Sequence, residues 1–255
     1  MKESKLMEGK SGLVTGGGSG IGRASAIAFA KEGAQVIVSD IDEKSGKETV
    51  RLIKNFGGTA AFFKCDVSKE EEIKALVDYV VLEFGRLDWA HNNAGISSDI
   101  NLLADIPNDN WERVLKTNLD GTYFALKYEI KKMLENGGGS IVNTSSMSGL
   151  GGRSKMAPYS ASKWGVNSLT KTAAIDYGNQ NIRVNAVCPG MTYTSGVKAW
   201  AESAPDLYKN VLKTIPLGRM GTPEEIANVA VFLCSEKASF ITGITMVVDG
   251  GRSAE

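Results

Sequence analysis

The chain of 255 residues contains little histidine and little cysteine. His91 is the single imidazole, so a histidine-based zinc site or a Ser-His-Asp triad lacks the residues it needs. The three cysteines, Cys65, Cys188 and Cys234, are widely spaced in apolar contexts. This pattern is typical of buried thiols in a reducing compartment, and it argues against disulfides and metal ligands. We therefore expect no metal site and a cytoplasmic location.

The chain also lacks an excess of charge and any long apolar run. Lys and Arg together number 29, as do Asp and Glu, which gives no support to a nucleic-acid partner. The apolar runs fall far short of the roughly 20 residues that a membrane-spanning helix needs. Residues 1–10 are charged and have no apolar segment of the kind that a secretory signal peptide carries. We expect a protein that binds neither nucleic acid nor membrane.

Short apolar segments alternate with helical segments along the whole chain. Strands are predicted near residues 13–15, 34–39, 59–65, 87–92, 140–144, 182–187 and 244–248, and helices near 23–32, 43–55, 69–84, 110–135, 159–177 and 223–233. This alternation predicts a parallel sheet covered by helices on both faces, in a single domain over residues 1–255. Residues 190–221 are long for a connection, so we expect a substrate-binding flap with its own helices there.

A glycine-rich loop follows the first predicted strand and opens the first helix. It runs from Gly16 to Gly22 with the spacing Gly16-x-x-x-Gly20-x-Gly22. Glycines let the backbone approach a pyrophosphate, and a helix N-terminus offers unpaired N–H groups to it. A glycine-rich turn without a ligand would carry the same residues. The strand before the loop and the helix after it favour a dinucleotide site.

Asp40 ends the second predicted strand, 18 residues after Gly22. A carboxylate at this place can accept hydrogen bonds from the adenosine ribose and would repel a 2′-phosphate. An ordinary helix-capping Asp is the alternative. No Arg or Lys stands at positions 17, 18 or 41, where a 2′-phosphate would need one. These residues predict NAD, preferred over NADP.

Tyr159 and Lys163 are four residues apart, which places both side chains on one face of a helix. An ammonium beside a phenol lowers the pKa of the phenol, which is near 10 in a free tyrosine. With a Ser hydroxyl to hold an alcohol or carbonyl oxygen, the pair would form a proton-transfer device. A surface Tyr and Lys on an ordinary helix would give the same spacing. The device requires a hydride carrier nearby, which the glycine loop would provide.

Eight segments occur in an order and spacing that are specific together, although each is weak alone. They are Thr15-Gly16-(x3)-Gly20-Ile21-Gly22, Cys65-Asp66-Val67, Asn92-Asn93-Ala94-Gly95, Asn118, Ser146, Tyr159-(x3)-Lys163, Pro189-Gly190-(x3)-Thr194 and Val248-Asp249-Gly250-Gly251. Over essentially its whole length the chain thus resembles the classical short-chain dehydrogenase/reductase family. The resemblance implies a doubly wound, three-layer α/β/α Rossmann domain and an NAD(P)-dependent oxidoreductase that acts on CH-OH donors.

The resemblance also implies roles for individual residues. Tyr159 would be the general acid/base, Ser146 would hold the substrate oxygen, Lys163 would keep Tyr159 acidic, and Asn118 would anchor a water that joins Lys163 to solvent. The cofactor would be bound by Gly16, Ser19, Gly20, Ile21, Gly22, Asp40, Asp66, Val67, Asn93, Ala94, Gly95, Tyr159, Lys163, Pro189, Gly190, Thr192 and Thr194. The first strand departs from the family pattern because it begins with the polar residues Lys10 and Ser11. His91 is interpreted as a core or cofactor-lining residue.

The substrate walls are expected in three segments, 97–106, 150–156 and 191–217. Candidate substrate contacts are Ser148, Arg153, Met156, Met191, Tyr193 and Trp200. Their apolar and aromatic character suits a ring alcohol such as a hydroxysteroid, while a sugar or a 3-oxoacyl thioester stays open. The flap side chains could equally pack on the flap itself or on another subunit, and Arg153 could be a solvated loop charge. A non-catalytic dinucleotide sensor and a dehydratase or epimerase are the rival classes.

The two long helices carry more apolar residues than one sheet face needs. They are Trp111, Val114, Leu115, Leu119, Phe124, Leu126 and Ile130 in one helix and Trp164, Val166, Leu169 and Ile175 in the other. Such an excess predicts an interface between subunits. The resemblance favours a homotetramer.

Overall fold

The computed structural model describes residues 5–254, and the seven strands found there form one parallel sheet. The strands are β1 Ser11–Thr15, β2 Gln35–Asp40, β3 Thr59–Lys64, β4 Trp89–Asn92, β5 Gly139–Thr144, β6 Ile182–Pro189 and β7 Thr245–Val248. Their order in the sheet is β3-β2-β1-β4-β5-β6-β7. The order reverses between β1 and β4, and the crevice at such a switch point is where doubly wound sheets bind ligands.

Helices cover both faces of this sheet. They are α1 Gly20–Lys31, α2 Glu43–Asn55, α3 Glu70–Phe84, α4 Asn108–Leu115, α5 Gly121–Glu135, α6 Ala157–Tyr177, α7 Ser195–Ser203, α8 Pro205–Lys213 and α9 Pro223–Cys234. One buried cluster includes Phe29, Trp89 and Val142, and a second includes Leu13, Val80 and Ile141. The predicted doubly wound α/β/α fold is confirmed.

The helix predicted over residues 110–135 is not one regular helix. A π-helical turn over Lys116–Asp120 separates α4 from α5. Asn118 lies in this turn and is fully buried, and its side chain accepts a hydrogen bond from the Ile96 N–H and donates one to the Ile96 carbonyl. The wider turn therefore places a polar side chain against a loop at the switch point, as π turns at functional sites often do.

The polar start of β1 is satisfied by specific partners. The Ser11 N–H donates to Asp88 at 2.9 Å, and its hydroxyl donates to Gln35 at 2.8 Å. At Gly12 a Cβ would overlap the backbone and indole of Trp89, which stacks on Phe29 with ring centroids 3.8 Å apart. The departure from the usual apolar strand therefore leaves no buried polar atom of Ser11 unpaired.

None of the helices within residues 5–254 has the length and apolarity to cross a bilayer. Within the same residues, no group of His, Cys, Asp and Glu side chains is arranged to hold a metal ion.

Candidate active site

The glycine loop between β1 and α1 is shaped so that side chains are excluded from it. Gly16 and Gly20 adopt positive φ angles of 63° and 48°, a region that favours glycine. A Cβ at Gly22 would overlap the Gly16 carbonyl, and a Cβ at Gly20 would lie 3.3 Å from Thr194 of the flap. The loop and the start of α1 thus form a backbone cradle that fits a dinucleotide pyrophosphate.

Thr15 joins this loop to the end of β4. Its hydroxyl accepts hydrogen bonds from the N–H groups of Asn93 and Ala94, both at 3.0 Å. The Asn93 amide in turn donates to the Thr15 carbonyl at 3.1 Å. These bonds bring together two of the predicted cofactor segments, and Gly95 follows directly on the exposed side.

Asp40 lies where the sequence places it, at the end of β2 beside the loop. Its carboxylate accepts the Gly18 N–H at 2.8 Å and the Asp42 N–H at 2.9 Å. A Cβ at Gly18 would lie 2.7 Å from the carboxylate, so glycine is needed for the contact. Ser19 is exposed at the start of α1 and Ile21 is partly buried behind it.

The sequence reasoning missed Arg23, which lies close to this corner. Its guanidinium donates to the Gly18 carbonyl, to the Thr49 hydroxyl at 3.0 Å and to the Ser45 carbonyl at 3.4 Å. Local spacing points only to positions 17, 18 and 41 for a basic partner of a 2′-phosphate. Arg23 lies one helical turn into α1, and the fold brings its side chain to the same corner of the site.

Asp66 and Val67 stand beyond the end of β3. The Asp66 carboxylate accepts bonds from the Ser68 N–H at 3.0 Å and the Ser68 hydroxyl at 2.7 Å. A Cβ at Gly121 would lie 2.9 Å from the Val67 carbonyl, so the start of α5 packs directly on this segment. One carboxylate oxygen of Asp66 is therefore committed to the turn.

Ser146 lies two residues after β5, where its hydroxyl accepts the Ser148 N–H at 3.1 Å, and Tyr159 and Lys163 belong to α6. Tyr159 lies in the first turn of α6, where Pro158 favours helix initiation. Lys163 is 4% exposed, and its ammonium donates to the Thr144 carbonyl at 2.8 Å and lies 5.8 Å from the centroid of the Tyr159 ring. The neighbouring Ser145 is turned away, because its hydroxyl donates to the Lys163 carbonyl at 3.1 Å.

The pKa of Tyr159 is raised, because desolvation outweighs the hydrogen bond from Ser146 and the positive charge of Arg153, which lower it. Burial likewise lowers the pKa of Lys163 to about 8. The role of Lys163 in keeping the phenol acidic stays a prediction. The lysine donates to Thr144, while Ser146 and Arg153 are the groups that favour the phenolate.

Asn118 is committed to protein partners. Besides its two bonds to Ile96, its amide donates to the Ser162 hydroxyl at 3.1 Å, which donates to the Tyr159 carbonyl at 2.7 Å. A Cβ at Gly95 would lie 3.2 Å from the Asn118 side-chain oxygen and 3.4 Å from the Lys163 ammonium. The side chain thus braces the turn that carries Tyr159, and glycine keeps the space between Asn118 and Lys163 open.

The flap begins at the end of β6, next to β7. Gly190 donates from its N–H to the Val248 carbonyl at 2.9 Å, after the buried Pro189. Thr192 is buried and its hydroxyl donates to the Gly190 carbonyl at 3.2 Å. The flap has its own helices, α7 and α8, as predicted. Its strand-end residues lie at the same edge of the sheet as Tyr159.

The candidate substrate residues do not share one environment. Trp200 packs edge-on against Tyr208 with centroids 6.3 Å apart, so this pair folds onto the flap itself. Ser148 is buried, Met156 and Met191 are partly buried, and Arg153 and Tyr193 are exposed. Large apolar side chains that are at least one-third exposed surround this edge of the sheet: Ile100, Leu102, Leu103, Leu150, Leu207 and Leu217.

The chain is similar to known proteins over nearly its whole length. A family model described as enoyl-(acyl carrier protein) reductase matches residues 16–253. The chain is 40% identical over 252 residues to cyclohexanol dehydrogenase from an Acinetobacter species, covering 99% of this chain and 98% of that protein. It is 41% identical over 249 residues to 2,5-dichloro-2,5-cyclohexadiene-1,4-diol dehydrogenase from Sphingobium indicum, covering 97% and 98%. The structure of NAD⁺-bound xylitol dehydrogenase matches with a TM-score of 0.93 at 34% identity, covering 97% and 100%.

Proposed function

Because this chain belongs to the short-chain dehydrogenase/reductase family, and is thus a nicotinamide-dinucleotide oxidoreductase of alcohols and ketones, we propose that it oxidises a secondary ring alcohol with NAD. The observation that supports the proposal is the hydrogen-bonded path from Lys163 through Thr144 and Asn93 to Thr15, at the start of the glycine loop. A dinucleotide sensor would not need a proton-transfer group. A dehydratase or epimerase would not release reduced cofactor.

In the proposed reaction the Tyr159 phenolate accepts the proton of the substrate hydroxyl. Bound NAD supplies the acceptor for the hydride that leaves the carbinol carbon. The Ser146 hydroxyl donates a hydrogen bond to the substrate oxygen, and Lys163 holds the end of β5 through the Thr144 carbonyl. In the reverse direction Tyr159 returns the proton to the carbonyl oxygen.

The preference for a ring alcohol rests on the exposed apolar side chains around the site. A rigid ring buries apolar area on them and loses fewer rotamers on binding than an open chain does. The names of two relatives, cyclohexanol dehydrogenase and the chlorinated cyclohexadiene-diol dehydrogenase, support the same substrate class. Because Trp200 packs on Tyr208, we assign the substrate wall to Leu150 and Met191 instead.

A substrate panel tests this proposal. With NAD in excess, we expect kcat/KM for cyclohexanol to exceed that for 2-hexanol, its open-chain match, by at least about tenfold. Xylitol and a 3-hydroxyacyl thioester are the competing substrates. Higher kcat/KM with either of them would replace the ring-alcohol assignment by the sugar or the thioester alternative.

We propose NAD over NADP because the Asp40 carboxylate lies beside the loop and would repel a 2′-phosphate. Arg23 could offset this only through Nη1, since its Nε and Nη2 atoms are already bonded to three oxygens of the loop and α2. We expect kcat/KM with NAD to exceed that with NADP by at least tenfold, roughly 1.4 kcal/mol.

Asp40→Ala should reduce that ratio chiefly by improving turnover with NADP. Asp42→Asn is the matched control, because it removes a neighbouring charge while keeping a side-chain oxygen to cap α2. For Asp42→Asn, the ratio of kcat/KM with NAD to kcat/KM with NADP should equal that of the parent enzyme. Equal or better turnover of the parent enzyme with NADP would rule out this role for Asp40.

We also propose a homotetramer, as expected from the apolar residues of the long helices. Fewer of the predicted residues are available for an interface, since Val114, Leu126, Ile130 and Val166 are buried within the subunit. Trp111, Tyr123, Trp164 and Ile175 are 38–81% exposed on α4, α5 and α6. Exposed aromatic residues in such number are typical of an interface.

Trp164→Glu should dissociate the oligomer, because a charge would be buried in an apolar contact. Light scattering at micromolar concentration measures the mass, and Lys171→Glu, on an exposed position of the same helix, is the control. A monomeric mass for the active parent enzyme would refute the proposal.

A further inference from the structure

His91 is the only histidine of the chain and lies completely buried on β4. Its Nε2 atom is 2.9 Å from the hydroxyl oxygen of Thr144, the last residue of β5. Its Nδ1 atom has no hydrogen-bond partner. An unpaired buried nitrogen is costly, so its presence in a folded protein calls for an explanation.

The direction of that bond follows from the neighbouring groups. The Asn93 amide nitrogen donates to the Thr15 carbonyl, so its side-chain oxygen faces Thr144, whose hydroxyl donates to it at 3.3 Å. A hydroxyl has a single proton, so the Thr144 oxygen must accept from His91. The Nε2–H tautomer is thereby assigned from the network, and Nδ1 is the unprotonated nitrogen.

Thr144 connects two parts of the site. Its hydroxyl lies between His91 and Asn93, and its carbonyl accepts the Lys163 ammonium at 2.8 Å. Asn93 in turn lies under the glycine loop, because a Cβ at Gly16 would lie 3.2 Å from its amide nitrogen and one at Gly22 only 2.6 Å. A rotation of the Thr144 hydroxyl would therefore remove the partner of the side chain that supports the dinucleotide cradle.

We propose that His91 is a positioning residue for dinucleotide binding, which acts by donating from Nε2 to Thr144 and so directs the Thr144 hydroxyl toward Asn93. His91 touches neither the substrate nor the reacting atoms. Burial lowers the pKa of His91 to about 3, so the imidazole is neutral at pH 7 and donates from Nε2 alone. This role concerns dinucleotide binding only, so it does not depend on which alcohol is the substrate.

Two replacements of His91 distinguish the effect of its N–H donor from the effect of its side-chain volume. His91→Phe fills the space without a donor, whereas His91→Gln places an amide nitrogen near the Nε2 position. Calorimetric titration with NAD should show about five- to tenfold weaker binding for His91→Phe and binding within about twofold of the parent for His91→Gln. Parent-like binding by His91→Phe would overturn the proposal, since filling the space would then suffice without a donor.

Thr144 provides an independent test should His91→Phe fail to fold. Thr144→Val removes the hydroxyl but keeps the carbonyl that Lys163 uses, and Thr144→Ser keeps both. We expect weaker NAD binding for Thr144→Val, by about the same factor as for His91→Phe, and near-parent binding for Thr144→Ser. Parent-like binding by Thr144→Val would contradict the relay.

The double variant His91→Phe/Thr144→Val completes a mutant cycle. If the two residues act through one bond, the double variant should bind NAD no more than about twofold more weakly than either single variant. A loss equal to the product of the two single losses would mean that the residues act separately. The binding readout uses no alcohol, so an error in the substrate assignment would leave this result unaffected.

Discussion

Tyr159→Phe should lose at least about 10²–10⁴-fold in kcat while keeping the fold and the affinity for NAD. The substitution removes only the hydroxyl that transfers the proton, and the ring remains in the first turn of α6. The remaining Ser146 hydroxyl could still bind the substrate oxygen, but no group on this face would then accept its proton. Steady-state rates with a secondary alcohol measure the loss, and calorimetry measures NAD binding.

Tyr177→Phe is the matched control, since it removes a tyrosine hydroxyl near the other end of α6. It should keep parent activity. A rate within a few-fold of the parent for Tyr159→Phe would remove Tyr159 from its proposed role. The pH profile adds a second check, because the raised pKa of Tyr159 predicts that kcat/KM for oxidation increases toward alkaline pH.

Glu129→Gln should stabilise the protein at alkaline pH and leave its stability nearly unchanged in acid. Glu129 is fully buried on α5, where one carboxyl oxygen accepts the Asn92 amide at 2.9 Å and the other has no partner. Burial raises its pKa from 4.5 to about 7. The group has no cation partner among the ion pairs of residues 5–254.

Proton linkage determines whether the folded protein gains or loses stability as the pH rises. The folded protein binds the Glu129 proton more tightly than the unfolded chain, so stability is greatest below pH 4.5 and decreases as pH rises to about 7. At about 1.4 kcal/mol per pKa unit the full loss is roughly 3 kcal/mol, and glutamine avoids it. In a chain of this size that is roughly 6–12 °C in the unfolding midpoint at pH 8.

Thermal unfolding of parent and variant at pH 5 and pH 8 measures the difference. Glu135→Gln on the same helix is the control, because the Glu135 side chain is 64% exposed and should change neither midpoint much. A Glu129→Gln variant that is less stable than the parent at pH 8 would show that the carboxylate, and not the acid, is the group the core accommodates.

The order of strands and helices could be predicted because each has its own hydrophobic period. The glycine loop and the position of Asp40 follow from local spacing, and the structure has the loop at the switch point of the sheet with Asp40 bonded to it. The π turn at Asn118 could not be predicted in this way. One added residue in a helix hardly changes the apolar period, and Asn118 has its partners in Ile96 and Ser162.

The hydrogen-bond network around Thr144 also could not be predicted from the sequence. His91 and Thr144 are 53 positions apart in the chain and meet only because β4 and β5 are neighbours in the sheet.

The flap shows what amino-acid composition alone cannot predict, since its aromatic residues suggest a substrate wall. Trp200 instead packs on Tyr208, and only the fold reveals that choice.

The central claim is direct hydride transfer from a carbinol carbon to NAD, with Tyr159 as the base. It is tested most directly with cyclohexanol that carries deuterium on the carbinol carbon, followed by mass spectrometry of the cofactor and the product. We expect one deuterium in the reduced nicotinamide for each ketone formed, and label transfer by Tyr159→Phe reduced by the same factor as its kcat. Ketone formation without deuterium in the nicotinamide, or product without net reduction of NAD, would contradict the account.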